Sequence, residues 1–435
     1  MARFTGFLVS ILVLVWAGSA NSQSEFNPDT IVAILQHTAQ YRMNQDTLNN
    51  KWVDGGTYFP GVMAVYKRTK LQMYLDAQTT WAKRYNWQPY GDPLTTNGDN
   101  QTCFQTYSEI YLLDSLPANA YMVQPADKNL ANMFDKAPQP NKRWGWIDEM
   151  YMSPPGMVRV AQATHKTRYV DSMDVYWWNS SNYYFDKTNQ LFYRDATFFK
   201  TGTFWSRGNG WVFGGMARII PFLPANFPTR AKHIAQFQAF AAKLATLQQA
   251  NGLWTSDLLN PAKFPQKETS GSAFFCFGMA WGINNGFLDR ATFEPVVRKA
   301  WTALVGCLNP NGSLGWVQAT GSAPAATVQG FNMPYSEGAF LLAGNEVYQM
   351  VRADALAAGR APTTTPGPAA AELVLGVQGE SLAVPAGARS YEVYTLQGRR
   401  ILVKDLGTGS APVATVSLSE LGNVQGARLV RFLFR

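Results

Sequence analysis

The feature that most constrains this chain is a helical apolar periodicity recurring about every sixty residues from Thr30 to Arg352, the signature of a repeat architecture. Phe293, Val296, Val297, Ala300, Trp301, Leu304 and Val305 fall on one helical face, with Pro295 accommodated in the first turn. Ile234, Phe237, Ala241 and Leu244 repeat the pattern one unit earlier. Each unit closes with a turn followed by a leucine and an aromatic residue. Asn251-Gly-Leu-Trp254 is one such turn and Asn311-Gly-Ser-Leu-Gly-Trp316 the next, with Asn189-Gln-Leu-Phe192 a weaker echo. A period of this length is a helix pair with its loops, so the span holds about five or six helical hairpins. Six hairpins closing on themselves make an all-α (α/α)6 barrel, a toroid with an inner ring of helices and a cleft where their loops converge. An open solenoid is the alternative, and the ring is favoured because terminal caps are not evident.

The ends of the chain read differently. Arg3, the apolar run Phe7 to Trp16 and the small residues Ala17-Gly-Ser-Ala20 form a signal-peptide pattern, so residues 1–22 are expected to direct export. That apolar run is too short to span a bilayer, and no other segment is long enough. The helical domain is assigned to 27–355 and a Pro/Thr/Ala linker, Arg360-Ala-Pro-Thr-Thr-Thr-Pro-Gly-Pro368, to 356–371. From 372 to 435 the pattern changes to short strand-like runs: Glu372 to Gly376, Tyr391 to Leu396, Arg400 to Leu406, Ala414 to Leu418 and Ala427 to Phe434. Leu396-Gln-Gly-Arg399 supplies a hairpin turn. This is a small β-sandwich module without paired acids or a phosphate loop, and it is read as an accessory.

Aromatic residues make up 14% of the chain and charged residues only 15%, so much aromatic surface must lie in a core or a binding cleft. The net charge of +8 is scattered rather than gathered into Lys/Arg runs, which argues against nucleic acid and membrane surfaces and suits a small anionic ligand. Cys103, Cys276 and Cys307 lie in apolar runs and read as buried thiols, not a disulfide framework. His37, His165 and His233 lack metal-ligand spacing, and no metal or organic cofactor is expected.

Two tryptophan-rich segments carry the chemistry: Trp144-Gly-Trp-Ile-Asp148-Glu-Met-Tyr-Met-Ser-Pro-Pro-Gly156 and Phe204-Trp-Ser-Arg-Gly-Asn-Gly-Trp211. Aromatic faces stack on sugar rings, and a carboxyl beside Trp144, Trp146 and Tyr151 is partly desolvated, which raises its pKa toward that of a general acid. Four carboxylates stand out: Asp99 in Asn97-Gly-Asp-Asn100, Asp148 and Glu149 after the Trp-Gly-Trp segment, and Glu268 ahead of an apolar helix. Each has a structural alternative. Asp99 suits an N-cap, Glu268 a first-turn carboxylate favoured by the helix dipole, and Glu149 a solvated surface position. Trp205 and Trp211 could be core residues. Arg207 between them is the more specific signal, since a guanidinium stacked on indole is pre-organised for a carboxylate.

These blocks, together with Glu268-Thr-Ser-Gly-Ser-Ala273, Gln105-Thr-Tyr107 and Gly338-Ala-Phe-Leu-Leu-Ala-Gly-Asn-Glu-Val-Tyr348, resemble the signatures of the unsaturated-uronyl hydrolases of glycoside hydrolase families 88 and 105. The resemblance runs from Trp52 to Tyr348 and implies an (α/α)6 barrel. It also implies an activity: removal of a 4,5-unsaturated uronic acid from the non-reducing end of lyase-generated oligosaccharides by hydration of its vinyl ether. An anionic unsaturated oligosaccharide is the implied partner, with a rhamnogalacturonyl substrate ranked ahead of a glucuronyl one from ulvan or glycosaminoglycan. A polysaccharide lyase on the same toroid and a non-catalytic glycan-binding protein are the rivals.

Carried over by position, Asp148 matches the family's proton donor and water-activating base, and Asp99 its partner acid. Arg207 matches a uronate clamp, and Trp211, Trp205, Trp146, Tyr151, Asn209 and Glu268 match substrate-binding positions. Two departures stand out: Tyr193-Arg-Asp195 occupies a place where many relatives have a histidine, and Asn100 replaces a second acid. The C-terminal module, through Tyr394-Thr-Leu-Gln-Gly-Arg-Arg400, resembles bacterial sorting domains and suggests secretion machinery as a partner.

Overall fold

The computed structural model describes residues 24–43, 48–135 and 142–357, and six short strands between 372 and 433. Its first compact unit is Met1–Val351. Twelve longer helices among the described residues form six pairs: α1 and α2 (Pro28–Met43, Thr57–Thr69), α3 and α4 (Gln72–Arg84, Phe104–Tyr111), α5 and α6 (Gln124–Asp135, Pro154–Thr164), α7 and α8 (Arg168–Tyr184, Ser206–Ile219), α9 and α10 (Arg230–Thr246, Ser270–Asn284), and α11 and α12 (Arg290–Val305, Pro334–Ala357). The odd-numbered helices bury a single stripe. In α9 it is His233, Phe237, Phe240, Ala241 and Leu244, and in α11 Phe293, Val297, Ala300, Trp301 and Leu304. The even-numbered helices are buried all round, including the whole of α8 and Ser270–Ile283 of α10. A helix apolar on every side must sit inside, so even-numbered helices form the inner ring.

Small residues set how closely that ring packs. Gly210 of α8 lies against Gly271 of α10, and Gly156 of α6 against Phe104 of α4. Gly338 of α12 meets the Thr57 carbonyl of α2, so the last inner helix touches the first. The ring is closed and the open solenoid is excluded. Each of these contacts joins helix start to helix start, so the inner helices run in parallel with their N-termini at one mouth. Their dipoles place partial positive charge there.

The turns repeat as the sequence suggests. Gly252 and Gly312 adopt φ of 89° and 90°, and Gln190 of the weaker echo also has positive φ, 55°. Asn251 Oδ1 accepts the Leu253 N–H at 3.0 Å and Asn311 Oδ1 the Ser313 N–H at 3.1 Å. One expectation shifts: α11 starts at Arg290, capped by Asp289 Oδ2 on the Thr292 N–H at 2.8 Å, so Pro295 falls in the second turn rather than the first.

Cys103, Cys276 and Cys307 are buried and free. Among the described residues no helix is long and apolar enough to cross a membrane. Helix α12 continues to Ala357, into the expected linker, while residues 358–371 and the leader 1–22 lie outside the described residues.

The second unit, Arg352–Arg435, holds β3 (Glu372–Leu375), β4 (Ser381–Ala383), β5 (Ser390–Thr395), β6 (Arg400–Asp405), β7 (Thr415–Ser417) and β8 (Arg428–Leu433). An antiparallel four-stranded sheet has the order β3-β8-β5-β6, and β4 pairs with β7. Five strands fall where the sequence places them. The three-residue β4 is too short to show an alternating pattern. The turn at 396–399 lies outside the described residues.

Candidate active site

The loops entering the inner helices bring three carboxyl groups together. Asp99 stands in a short helix, Gly98–Gln101, whose cap is Asn97: its Oδ1 accepts the Asp99 N–H at 2.8 Å. Asp99 is therefore not the N-cap, and its buried Oδ1 has no hydrogen-bond partner. Asp148 precedes the short helix Glu149–Met152 and is 5% exposed. Glu149 is buried as well, contrary to the solvated position expected of it. Its Oε2 accepts the Gly98 N–H at 2.9 Å and its Oε1 the Gly145 N–H at 3.4 Å, tying the Asp99 turn to the Trp144–Trp146 turn.

Burial dominates the electrostatics of this cluster. Asp99 is pushed up to about 7, first by desolvation and then by the charges of Asp148 and Glu149; Arg194 and the Trp146 indole act the other way. Desolvation lifts Glu149 to about 7 and raises Asp148, although Arg194 and Arg207 favour the Asp148 carboxylate.

Arg194 is the residue at the centre that sequence reasoning did not assign. Its Nε lies 3.3 Å from Asp148 Oδ2, its Nη1 2.6 Å from Asp195 Oδ2, and its guanidinium is 5.1 Å from the centre of the Trp146 ring. A hairpin delivers it: β1 (Phe185–Asp186) pairs with β2 (Leu191–Phe192), and the Arg194 carbonyl then accepts the Ile147 N–H at 3.0 Å. The only signal in the sequence was the Tyr193-Arg-Asp195 departure. A cavity of ≈ 560 Å³ opens beside these groups, lined by Trp144, Trp146, Tyr184, Arg194, Asp195 and Arg143 among others.

Several expected substrate contacts belong to the scaffold instead. Asn209 is saturated by protein: its Oδ1 accepts the Phe192 N–H at 2.8 Å, and its Nδ2 donates to the carbonyls of Phe192 and Trp205, each at 2.9 Å. It pins the hairpin that carries Arg194. Glu268 is 0% exposed and accepts the Ser270 N–H at 2.7 Å, the Gly271 N–H at 3.0 Å and the Ser206 hydroxyl at 3.1 Å, which makes it an anchor for the start of α10. Trp211 and Tyr151 are fully buried against each other and Phe274, and Trp205 donates its Nε1 to Gln318 at 2.9 Å. These three form the floor beneath the site, whereas Trp146 is half-buried at its surface.

Arg207, 1% exposed, spends its terminal nitrogens on main chain. Nη1 donates to the Gln318 carbonyl at 2.8 Å and the Tyr335 hydroxyl at 3.1 Å, and Nη2 to the Ala319 carbonyl at 2.9 Å. Its guanidinium is sandwiched by Trp205 and Tyr335. It holds the loop 318–321 and leaves only Nε without a partner, so it does not present the two-pronged clamp expected from the sequence.

Residues 29–351 match the family model described as Glycosyl Hydrolase Family 88. The chain belongs to that family. This family 88 chain is 34% identical over 322 residues to an unsaturated 3S-rhamnoglycuronyl hydrolase of Formosa agariphila, a match covering 69% of this chain and 84% of the relative. Among solved structures it resembles a family 88 glycosyl hydrolase from Bacteroides vulgatus, with TM-score 0.69, 29% identity and coverage of 75% and 99% of the two chains. A structure titled a polysaccharide lyase is similar to the same degree, with TM-score 0.69, 30% identity and coverage of 75% and 98%. Family 88 membership makes the chain a glycoside hydrolase and agrees with the closed toroid.

Proposed function

We propose that this enzyme removes a 4,5-unsaturated uronic acid from the non-reducing end of lyase-generated oligosaccharides by hydrating the vinyl ether double bond. The observation that carries the reading is the buried Asp99–Asp148–Glu149 cluster, facing Arg194 and Trp146 at the mouth where the six inner helices begin. Two groups of pKa near 7 keep protons available at neutral pH, and the helix N-termini with Arg194 favour an anionic sugar.

In this mechanism Asp148 protonates C4, and positive charge develops at C5, shared with the ring oxygen. The resulting Asp148 carboxylate takes a proton from water as the water oxygen bonds to C5. The product is a hemiketal, which opens and releases the aglycone, while Asp148 is left protonated for the next turnover. One acid/base carboxyl suffices, unlike the spaced pair of an ordinary glycosidase. Arg194 takes the role first assigned to Arg207 and binds the uronate carboxylate. Shared with that new anion, it supports the Asp148 carboxylate less, so substrate binding raises the Asp148 pKa and draws a proton onto it from Asp99 or Glu149.

The substrate reading turns on the aglycone. A 4,5-unsaturated uronate has lost the C4 stereocentre that separates glucuronate from galacturonate, so both precursors yield the same sugar. Rhamnogalacturonyl and rhamnoglycuronyl substrates then share the unsaturated sugar and the rhamnose, and differ in linkage and in a sulfate. The Formosa agariphila relative's name supports the sulfated rhamnoglycuronyl choice.

The test is the ultraviolet absorbance of the conjugated double bond during incubation with unsaturated oligosaccharides. Loss of absorbance is expected. A gain would assign a lyase, and a flat trace with retained binding a glycan-binding protein. Export through residues 1–22 and a sorting role for residues 372–435 stay part of the proposal, checked by locating full-length and truncated chains in cell fractions.

A further inference from the structure

The cavity beside Arg194 has two cations on its rim that the chemistry of the unsaturated sugar does not use, Lys142 and Arg143. Both are exposed, and among the described residues neither makes an ion pair, whereas Arg194 in the same cavity is matched by Asp148 and Asp195. Neither hangs on a loose strand. Asn179 Nδ2 of α7 donates to the Lys142 carbonyl at 2.9 Å, and the Trp144 N–H donates to Ser180 Oγ at 3.0 Å, so the segment is tied to α7. The Arg143 guanidinium lies 3.7 Å from the centre of the Tyr183 ring, which fixes its plane and leaves its edge for an acceptor. The two cations also border a second cavity, of ≈ 490 Å³, that reaches Glu149 and Asn97. They therefore flank the acid cluster on the side open to solvent, next to the indole of Trp146, an aromatic face able to carry a sugar ring.

Resting on the proposed uronyl hydrolase reading, we propose that Lys142 and Arg143 bind a sulfate ester on the sugar that follows the unsaturated uronate and make the enzyme selective for sulfated aglycones. Arg194 is committed to the uronate carboxylate and Asp148, so a second anion at the reducing side needs its own cations. A planar guanidinium presents paired donors to the sulfate oxygens, and the lysine adds a point charge. The contact lies away from the reacting C4 and C5, so it acts chiefly on binding.

The test compares kcat and KM on the unsaturated uronyl-rhamnose disaccharide with and without a sulfate on rhamnose O3, for the native enzyme and for the Lys142→Gln/Arg143→Gln double variant. Both side chains are exposed, and a melting temperature within a few degrees of native checks the fold. The native enzyme is expected to prefer the sulfated disaccharide by about tenfold or more, worth about 1.4 kcal/mol. The variant should bring that ratio to within about twofold of unity, with the loss carried by a raised KM on the sulfated substrate. A native enzyme that hydrates both disaccharides equally, or a variant that keeps the preference, overturns the sulfate assignment and leaves the hydrolase reading standing. A native enzyme that hydrates neither overturns both.

Discussion

At the scale of single residues the site is a contest over protons. Asp148 and Arg194 meet at 3.3 Å, and Asp99 and Glu149 crowd the same space with their neutral forms favoured. Asp148→Asn keeps the shape of the side chain but cannot deliver a proton, and kcat should fall at least about a hundredfold, the lower end for general acid catalysis. Near-native kcat in this variant would remove Asp148 from the mechanism.

Asp99 and Arg194 act on Asp148 with opposite signs. Removing a neighbouring negative charge in Asp99→Asn lowers the Asp148 pKa, so the alkaline limb of the kcat profile should move to lower pH. Arg194→Gln removes a positive charge and should move that limb to higher pH while raising KM for the uronate. Limbs that move together, or not at all, would dissociate these residues from the acid.

Stability carries the same signature. Asp99 has a folded-state pKa of about 7, above its unfolded value of 3.8, so the folded state holds a proton that the unfolded chain has lost. Its contribution to stability falls as pH rises between these values. Asp99→Asn should therefore raise the melting temperature more at pH 8 than at pH 4. An equal change at both would mean that Asp99 titrates normally.

At the scale of elements, the ring is closed by glycines rather than by large apolar side chains. A Cβ at residue 338 would strike the Thr57 carbonyl of α2, so Gly338→Ala must push α12 outward. We expect a loss of about 1–3 kcal/mol by denaturant unfolding, typical of overpacking. An unchanged midpoint would show that the two helices can separate at no cost. The long amphipathic helices were legible because their stripes repeat at helical spacing, as Phe237, Ala241 and Leu244 in α9 show. The β1–β2 hairpin was not, since its two-residue strands carry no periodicity and are held largely from outside by Asn209. Missing that hairpin hid the placement of Arg194.

At the scale of the molecule, the acids, the aromatic floor and the cationic rim all belong to the first of the two compact units. A chain ending at residue 360 is expected to fold and to retain kcat on small unsaturated oligosaccharides. An insoluble or inactive product would show that residues 361–435 support the barrel. The sequence by itself determined the toroid, the Asp99 and Asp148 loops and the change to β-structure beyond residue 372, because periodicity, turn chemistry and composition are local and survive in one dimension. Only the tertiary structure decided what each polar side chain does. Arg207, Asn209 and Glu268 sit in segments that read as ligand-binding, yet main-chain groups distant in sequence saturate nearly all of their hydrogen-bonding capacity. Glu149 and Arg194 read as unremarkable and face the reacting acid. A side chain's partners are set by which loops the closed ring brings to its mouth, and that juxtaposition has no counterpart in sequence spacing.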